Sequence, residues 1–313
     1  MYAETTKMTF SITIPAYKTR FLDEAIHSVI AQTYQDWQLV IVDDCSPEDL
    51  KSIVEPYLAD SRVEYYRNEK NCGAVDVVDN WNICLSHCTG DYVICMGDDD
   101  RLQLCCLEEY QRLIAQHPGL NVYHARTQII DEAGNSFEIQ EEWPSYETCQ
   151  EMLCAQWKDN RKQFIGDFLF SRQWLTDNKG YVKFPLAYSS DWATANLAAK
   201  EKGIANGKTI MFEYRTHRGT ISRSQNLRLT VIACDEAFQW YKLQFAELLP
   251  DVFLPFFTRR FKKLVYLDVT SRPFRQMTYW LSYSQKVFIP KYEIIKACLK
   301  GIVAKILYPS PIS

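Results

Sequence analysis

The chain has 313 residues, of which 47% are hydrophobic and 24% charged, with a net charge of −4. This composition fits a globular chain holding one large α/β domain or two small ones, and the acidic balance excludes a general nucleic-acid binder. No run reaches the roughly 18 apolar residues of a membrane span, and Met1 to Met8 lacks the apolar core of a signal peptide. Eleven cysteines fall without a disulfide-like framework, so reduced thiols and a cytoplasmic setting are expected. Cys84 and Cys88 have no matching Cys or His pair at zinc-site spacing and read as core.

In chain order, Thr9 to Pro15 alternates as a strand, and Arg20 to Gln32 carries apolar residues at helix spacing. Trp37 to Val42 is a second strand, and Pro47 to Leu58 a helix with proline in its first turn. A short strand over Val63 to Tyr66, a helix over Ala74 to Ser86 and a fourth strand over Tyr92 to Met96 follow. Then come a helix over Leu102 to Gln116 and a strand over Asn121 to Arg126. Such alternation predicts right-handed βαβ units and a mostly parallel sheet flanked by helices. Ile129-Ile130 and Phe137 to Ile139 suggest a hairpin about Asp131 to Gly134, and Thr209 to Tyr214 a further strand. Beyond about Asn226 the pattern is helical: Leu227 to Leu249, Val252 to Val269, Phe274 to Ser284 and Tyr292 to Leu307.

Chemistry-bearing residues fall at the ends of predicted elements. Pro15-Ala16-Tyr17 follows the first strand, where a ring can stack on a flat heterocycle. Asp43-Asp44 follows the second, where a carboxylate can accept from an imide N–H or a ribose hydroxyl, or cap the next helix. Asn71-Cys72-Gly73 precedes a helix. Asp98-Asp99-Asp100 follows the fourth strand. Carboxylates crowded at a strand's carboxyl end repel one another unless a divalent cation sits among them, and open α/β sheets place ligands there. The alternative is an acidic turn capping the helix predicted from Leu102.

Taken in order, Ile12 to Tyr17, Ala31 to Tyr34, Val40 to Ser46, Asn71 to Gly73 and Gly90 to Asp100 resemble family 2 glycosyltransferases of the GT-A fold; the resemblance covers roughly Phe10 to Ser222. It implies an inverting, hexosyltransferase-type enzyme using a nucleotide-diphosphate sugar, UDP favoured, with Mn²⁺ or Mg²⁺. In such enzymes Tyr17 would stack on the base and Asp44 would hold its edge, with Pro15, Ala16, Asp43, Asn71 and Gly73 also binding the nucleotide sugar. Asp98 would contact ribose, Asp99 and Asp100 would ligate the metal, and Arg215 and His217 of the later loop would hold the diphosphate and complete the metal shell. Many relatives write the motif Asp-Ser-Asp-Asp; here Gly97 replaces the first Asp and Asp98 the Ser. Ser189-Ser190-Asp191-Trp192 resembles the motif whose last Asp is the general base, with Asp191 also a plausible helix cap. Asp167 is a competitor without an assigned role.

The implied organisation is a GT-A domain over 1–225, with the donor half at about 9–120 and the acceptor half at about 121–225, then a helical basic extension over 226–313. From Arg259 onward eleven Lys/Arg face two acidic residues, a net +9 that leaves −13 for the rest. The last helix sets an apolar stripe, Ile294 to Leu307, beside Lys296, Lys300 and Lys305. Such a helix suits an anionic bilayer or a place packed on its own domain. The expected acceptor is a glycan or a polyprenyl-linked saccharide, as in surface polysaccharide synthesis, with peripheral contact at the inner face of the plasma membrane. A sugar nucleotidyltransferase would need a glycine-rich loop where Pro-Ala-Tyr-Lys stands, and a catalytically dead scaffold would not need both the Asp cluster and Asp191.

Overall fold

The structure is a computed structural model that describes residues 8–159, 161–217, 226–271, 273–283 and 287–307. The chain forms two compact units. The first comprises Met1–Met152, Lys162–Lys183 and Ser190–Thr220; the second comprises Leu153–Arg161, Phe184–Ser189 and Ile221–Ser313.

The first unit opens with β1 (Phe10–Ala16), α1 (Leu22–Ile30), β2 (Trp37–Asp43), α2 (Leu50–Val54), β3 (Val63–Arg67), α3 (Val77–Ser86) and β4 (Tyr92–Cys95). It continues through β5 (Arg101–Leu102), α4 (Cys106–Gln116), β6 (Val122–Ile130), β7 (Ser136–Ile139) and β8 (Tyr146–Glu147). After α5 (Cys149–Asp159) come β9 (Phe168–Ser171), α6 (Arg172–Asp177), α7 (Ser190–Ala199) and β10 (Ile204–Arg215). The sheet order is β3-β2-β1-β4-β9-β6-β10-β5. β1 pairs parallel with both β2 and β4, and β2 parallel with β3. β9 pairs antiparallel with β4 and with β6. Ile12, Ile14, Leu39, Ile41 and Ile94 are fully buried in one core with the inner face of α1, Leu22, Ala25, Ile26 and Val29. At roughly 25 cal/mol per Å² of apolar surface, each such side chain stabilises the unit by about 1.5–3 kcal/mol.

Three elements differ from the sequence reading. The helix expected from Leu102 begins at Cys106, because Arg101-Leu102 is a short strand paired antiparallel with Glu213 and Phe212 of β10. Asp100 is therefore not a helix cap; Cys105 holds that position. The helix expected over Pro47 to Leu58 divides into α2 and a 3-10 turn over Glu55–Ala59, where Pro56 lacks the N–H that an α-helix needs. The stretch before Ser189 to Trp192, given no element in the sequence reading, contains β9, which turns the middle of the sheet antiparallel. Its apolar run Phe168-Leu169-Phe170 is buried on both faces, so no alternation marks it as a strand.

The second unit is helical: α8 (Leu227–Gln244), α9 (Phe253–Ser271), α10 (Pro273–Tyr283) and α11 (Lys291–Leu307). The late aromatics build its core. Phe238 stacks between Phe253 and Phe288 at ring separations of 4.9 and 3.8 Å, and Trp157 meets Tyr241, Phe253 and Phe257. Trp280 is fully buried and its indole N–H donates to Asp268 at 2.7 Å. The apolar stripe of α11 divides in two. Ile294, Cys298 and Gly301 are buried, while Ile295, Leu299, Val303, Ile306 and Leu307 are exposed. All eleven cysteines are free thiols.

Candidate active site

The chain order changes direction between β1 and β4, since β2 and β3 extend the sheet from one side of β1 and β4 lies on the other. Ligands in open α/β sheets bind at the carboxyl ends of strands flanking such a switch point. Asp98 bridges that gap: its Oδ2 accepts from the backbone N–H groups of Tyr17 at 2.7 Å and Lys18 at 2.8 Å. Tyr17 itself is 42% exposed there. Pro15 and Ala16 continue β1 up to that ring, in register with Val42 and Asp43 of β2.

The two aspartates after β2 have different places. Asp43 is fully buried. Its Oδ1 accepts from Ser46 N–H at 2.7 Å, and its Oδ2 from the Tyr65 hydroxyl at 2.7 Å and from the Arg67 guanidinium. Its Oδ2 thus binds the end of β3 and its Oδ1 the turn after β2. Asp44 holds the next loop: its Oδ1 accepts from Asn68 Nδ2 and Cys72 N–H, each at 2.9 Å. Its carbonyl accepts from Asn71 Nδ2 at 2.6 Å, and Gly73 turns the chain onward at φ +75°. The expected base contacts therefore converge as Tyr17, Asp44 and the Asn71 loop, with Asp43 serving as an internal tie.

β10 brings the late residues to the aspartates. Arg215 N–H donates to Asp100 Oδ1 at 2.9 Å, and His217 Nε2 lies 2.7 Å from Asp99 Oδ2. Arg215 is 1% exposed. Its guanidinium donates to the carbonyls of Asp99, Asp131 and Glu132 and to Glu24 Oε2 at 2.6 Å, and stacks 4.3 Å over Phe21. All three guanidinium nitrogens make bonds within the protein, through four of the five N–H donors, so Arg215 braces the aspartate loop. Burial and the Asp99 charge push the Asp98 carboxyl up to about 6, against the pull of the Tyr17 and Lys18 N–H groups. Burial and the same charge raise Asp100 well above the usual range.

The donor set fits a divalent cation. Asp99 and His217 offer one oxygen and one imidazole nitrogen side by side. A Cβ placed on Gly97 would lie 2.7 Å from Asp99 Oδ1 and 2.9 Å from Asp100 Oδ2, so both oxygens close on bare backbone. Among the described residues no group of three or more His, Cys, Asp or Glu side chains is gathered as a ready-made cage. Such a partial set suits a hard cation that takes its remaining ligands from phosphate oxygens and water.

Asp191 is half-buried in the first turn of α7, with Oδ1 accepting from Trp192 N–H at 2.8 Å. α7 packs on β9, which neighbours β4, and on β6 beyond it. The loop before it takes left-handed backbone at Leu186, Ala187 and Ser189, a conformation L-residues rarely adopt. Its competitor Asp167 is fully buried, accepting from Phe164 N–H, Thr127 and Gln140, and lies 3.4 Å from His124. That makes Asp167 a structural hub of the unit. Residues Thr220 to Ser222 of the later loop lie outside the described residues.

The model of the family described as "Glycosyl transferase family 2" matches residues 11–178, just over half of the chain. The chain belongs to that family. It is 31% identical over 117 residues to EpsE of Bacillus subtilis (strain 168), provisionally named a glycosyltransferase, a match covering 37% of this chain and 41% of that protein. TuaG of the same organism, provisionally assigned to teichuronic acid biosynthesis, is 32% identical over 101 residues, covering 32% of this chain and 39% of that protein. The matched stretch thus spans about two fifths of the length of each of these relatives. Staphylococcus aureus TarS 1–349, solved with UDP-GlcNAc, superposes with a TM-score of 0.70 at 16% identity, over 98% of this chain and 93% of that one. This likeness establishes the fold, which is GT-A.

Several residues that shape this family 2 site carry no local signal. Arg67 faces Asp43 because β2 and β3 pair in parallel with those two residues in register. Asn68 follows it and reaches Asp44. Parallel pairing of the predicted strands could have found both. Glu24 and Phe21, which hold Arg215, look in sequence like an ordinary helix start and the residue before it.

Proposed function

We propose that this family 2 chain is an inverting, metal-dependent glycosyltransferase. It moves a sugar from a nucleotide-diphosphate donor, UDP favoured, to a hydroxyl of a glycan or lipid-linked acceptor in surface polysaccharide synthesis. The observation that carries the reading is the convergence of Tyr17, Asp44, Asp98, Asp99 and His217 on the switch point between β1 and β4. The TarS complex with UDP-GlcNAc and the teichuronic acid assignment of TuaG support the donor and pathway class by analogy.

In this reading Tyr17 stacks on the base and Asp44 orients the loop that meets its edge. Asp98 keeps the two strand ends together and faces the ribose with its remaining oxygen. Asp99 and His217 would hold Mn²⁺ or Mg²⁺, with Asp100 behind them. A cation held there offsets the charge on the departing diphosphate. Asp191 takes the proton of the acceptor hydroxyl as that oxygen attacks the anomeric carbon. The bond from carbon to the diphosphate oxygen breaks in the same displacement, so the anomeric configuration inverts. The basic helical unit holds the enzyme at an anionic membrane surface, where a lipid-linked acceptor is presented.

Asp191→Asn tests the base assignment. Sugar transfer should fall by about 10²–10⁴-fold with little change in UDP affinity by calorimetry. Transfer at the wild-type rate would remove Asp191 from the chemistry; parallel loss of UDP affinity would make it a binding residue instead.

A further inference from the structure

Within the helical unit, α9 and α11 flank a half-open groove of about 220 Å³ lined by Lys262, Lys263, Tyr266, Lys296, Ala297 and Lys300. Its volume equals about seven waters of liquid, room for a phosphate group with its ester carbons. The helices approach closely at Gly301, where a Cβ would stand 2.9 Å from the Tyr266 carbonyl and 3.1 Å from the Val269 side chain. Four lysines line this groove, their apolar stems making most of its wall and their ammonium groups lying toward its rim. Glu293 answers two of them: it pairs with Lys262 and lies 3.6 Å from Lys296. Lys263 and Lys300 are exposed and have no carboxylate partner among the described residues. Lysine donors gathered around a groove form a point-charge site for phosphate.

The surface beside the groove narrows the source of that phosphate. On α11, Ile295, Leu299, Val303 and Ile306 are exposed at helix spacing, with Ile306 at 71% and Leu299 at 53%. Successive residues at that spacing form one stripe, and Lys296 and Lys300 lie between it and the buried face. An apolar stripe bordered by lysines matches the depth profile of a bilayer, hydrocarbon under phosphate. We propose that the α9–α11 groove is a binding site for the phosphate of an anionic lipid headgroup, with the exposed stripe of α11 set in the acyl region beside it. The proposal rests on the membrane-facing reading of this unit and adds a defined headgroup site to it. It is independent of the chemistry assigned to the first unit.

The test compares co-sedimentation of the full chain with phosphatidylcholine vesicles carrying phosphatidic acid, or phosphatidylglycerol, at matched surface potential. Phosphatidic acid exposes a phosphomonoester that lysines on both sides of the groove can reach at its rim. The wild type should prefer it by about fivefold, the worth of roughly one extra lysine contact. Lys263→Gln/Lys300→Gln should bring that preference to unity. Lys291→Gln/Lys305→Gln removes the same charge from α11 outside the groove and should leave the preference intact. Circular dichroism melts of both double variants check that they fold. Equal binding of the two lipids by the wild type, or an unchanged preference in the groove variant, overturns the headgroup site and leaves membrane contact standing. Absence of vesicle binding overturns both. Calorimetric binding of inorganic pyrophosphate without vesicle binding would make the groove a soluble-anion site.

Discussion

At Asp99 a single carboxylate meets an imidazole on one oxygen and, over bare Gly97 backbone, a second carboxylate on the other. Gly97 leaves both carboxylates room to approach the backbone. Any side chain there meets both carboxylates below 3.0 Å. Gly97→Ala is therefore expected to push Asp99 and Asp100 apart and to weaken metal-supported UDP binding by about tenfold or more, with only a small change in melting temperature. Calorimetry with and without Mn²⁺ measures it; unchanged affinity would show that the carboxylates do not act together. Tyr17, Asp44 and Asp98 to Asp100 were legible in sequence because each ends a strand, and strand ends in a parallel sheet line up. The separate place of Asp43 was not, since Tyr65 and Arg67 lie more than twenty residues away. The burial of Arg215 was equally hidden, because its partners come from α1, the aspartate loop and the β6–β7 turn.

β10 is the element that joins the halves of the first unit. It pairs with β6 and β5, and through Arg215 it reaches Glu24 of α1. Arg215→Met keeps the stem but leaves three carbonyls and Glu24 without their donor. It should destabilise the first unit by about 3–5 kcal/mol, read as a lower denaturant midpoint. Arg215→Lys should not restore it, because one ammonium cannot replace a planar fork aimed at several acceptors. The short β5 explains why the helix after the aspartates starts later than its apolar spacing suggests: pairing with β10 overrides local propensity. α8 holds the opposite kind of feature. Asp235 is buried with one oxygen lacking a partner among the described residues, and desolvation raises its pKa. A carboxyl raised in the folded state costs stability once pH exceeds its unfolded value near 3.9. Asp235→Asn should therefore raise the melting temperature at pH 7, and the gain should vanish as pH falls below about 4. A gain that persists at low pH would point to packing instead.

On the scale of the whole chain, the split of charge noted in the sequence follows the two units. The acidic body is the GT-A unit, and the basic tail is the helical one that carries the α9–α11 lysines. The boundary is not a single cut, since Leu153–Arg161 and Phe184–Ser189 belong with the helices. Trp157 explains the first of these: its ring sits among Tyr241, Phe253 and Phe257, a packing that periodicity in α5 does not announce. The βαβ order and the place of the polar residues at strand ends were legible because both follow local strand–helix alternation. The antiparallel β9 and the mixed ownership of α5 depend on long-range packing and were not. Nucleotide release tests the nucleotide-sugar site proposed at the β1–β4 switch point most directly. The full chain is incubated with a panel of nucleotide-diphosphate sugars and Mn²⁺, and freed nucleotide is measured for wild type and Asp99→Asn. The account predicts release from at least one donor, abolished by EDTA and lowered at least about 100-fold by Asp99→Asn. Release that is insensitive to Asp99→Asn, or none from any donor together with no UDP binding, would contradict it.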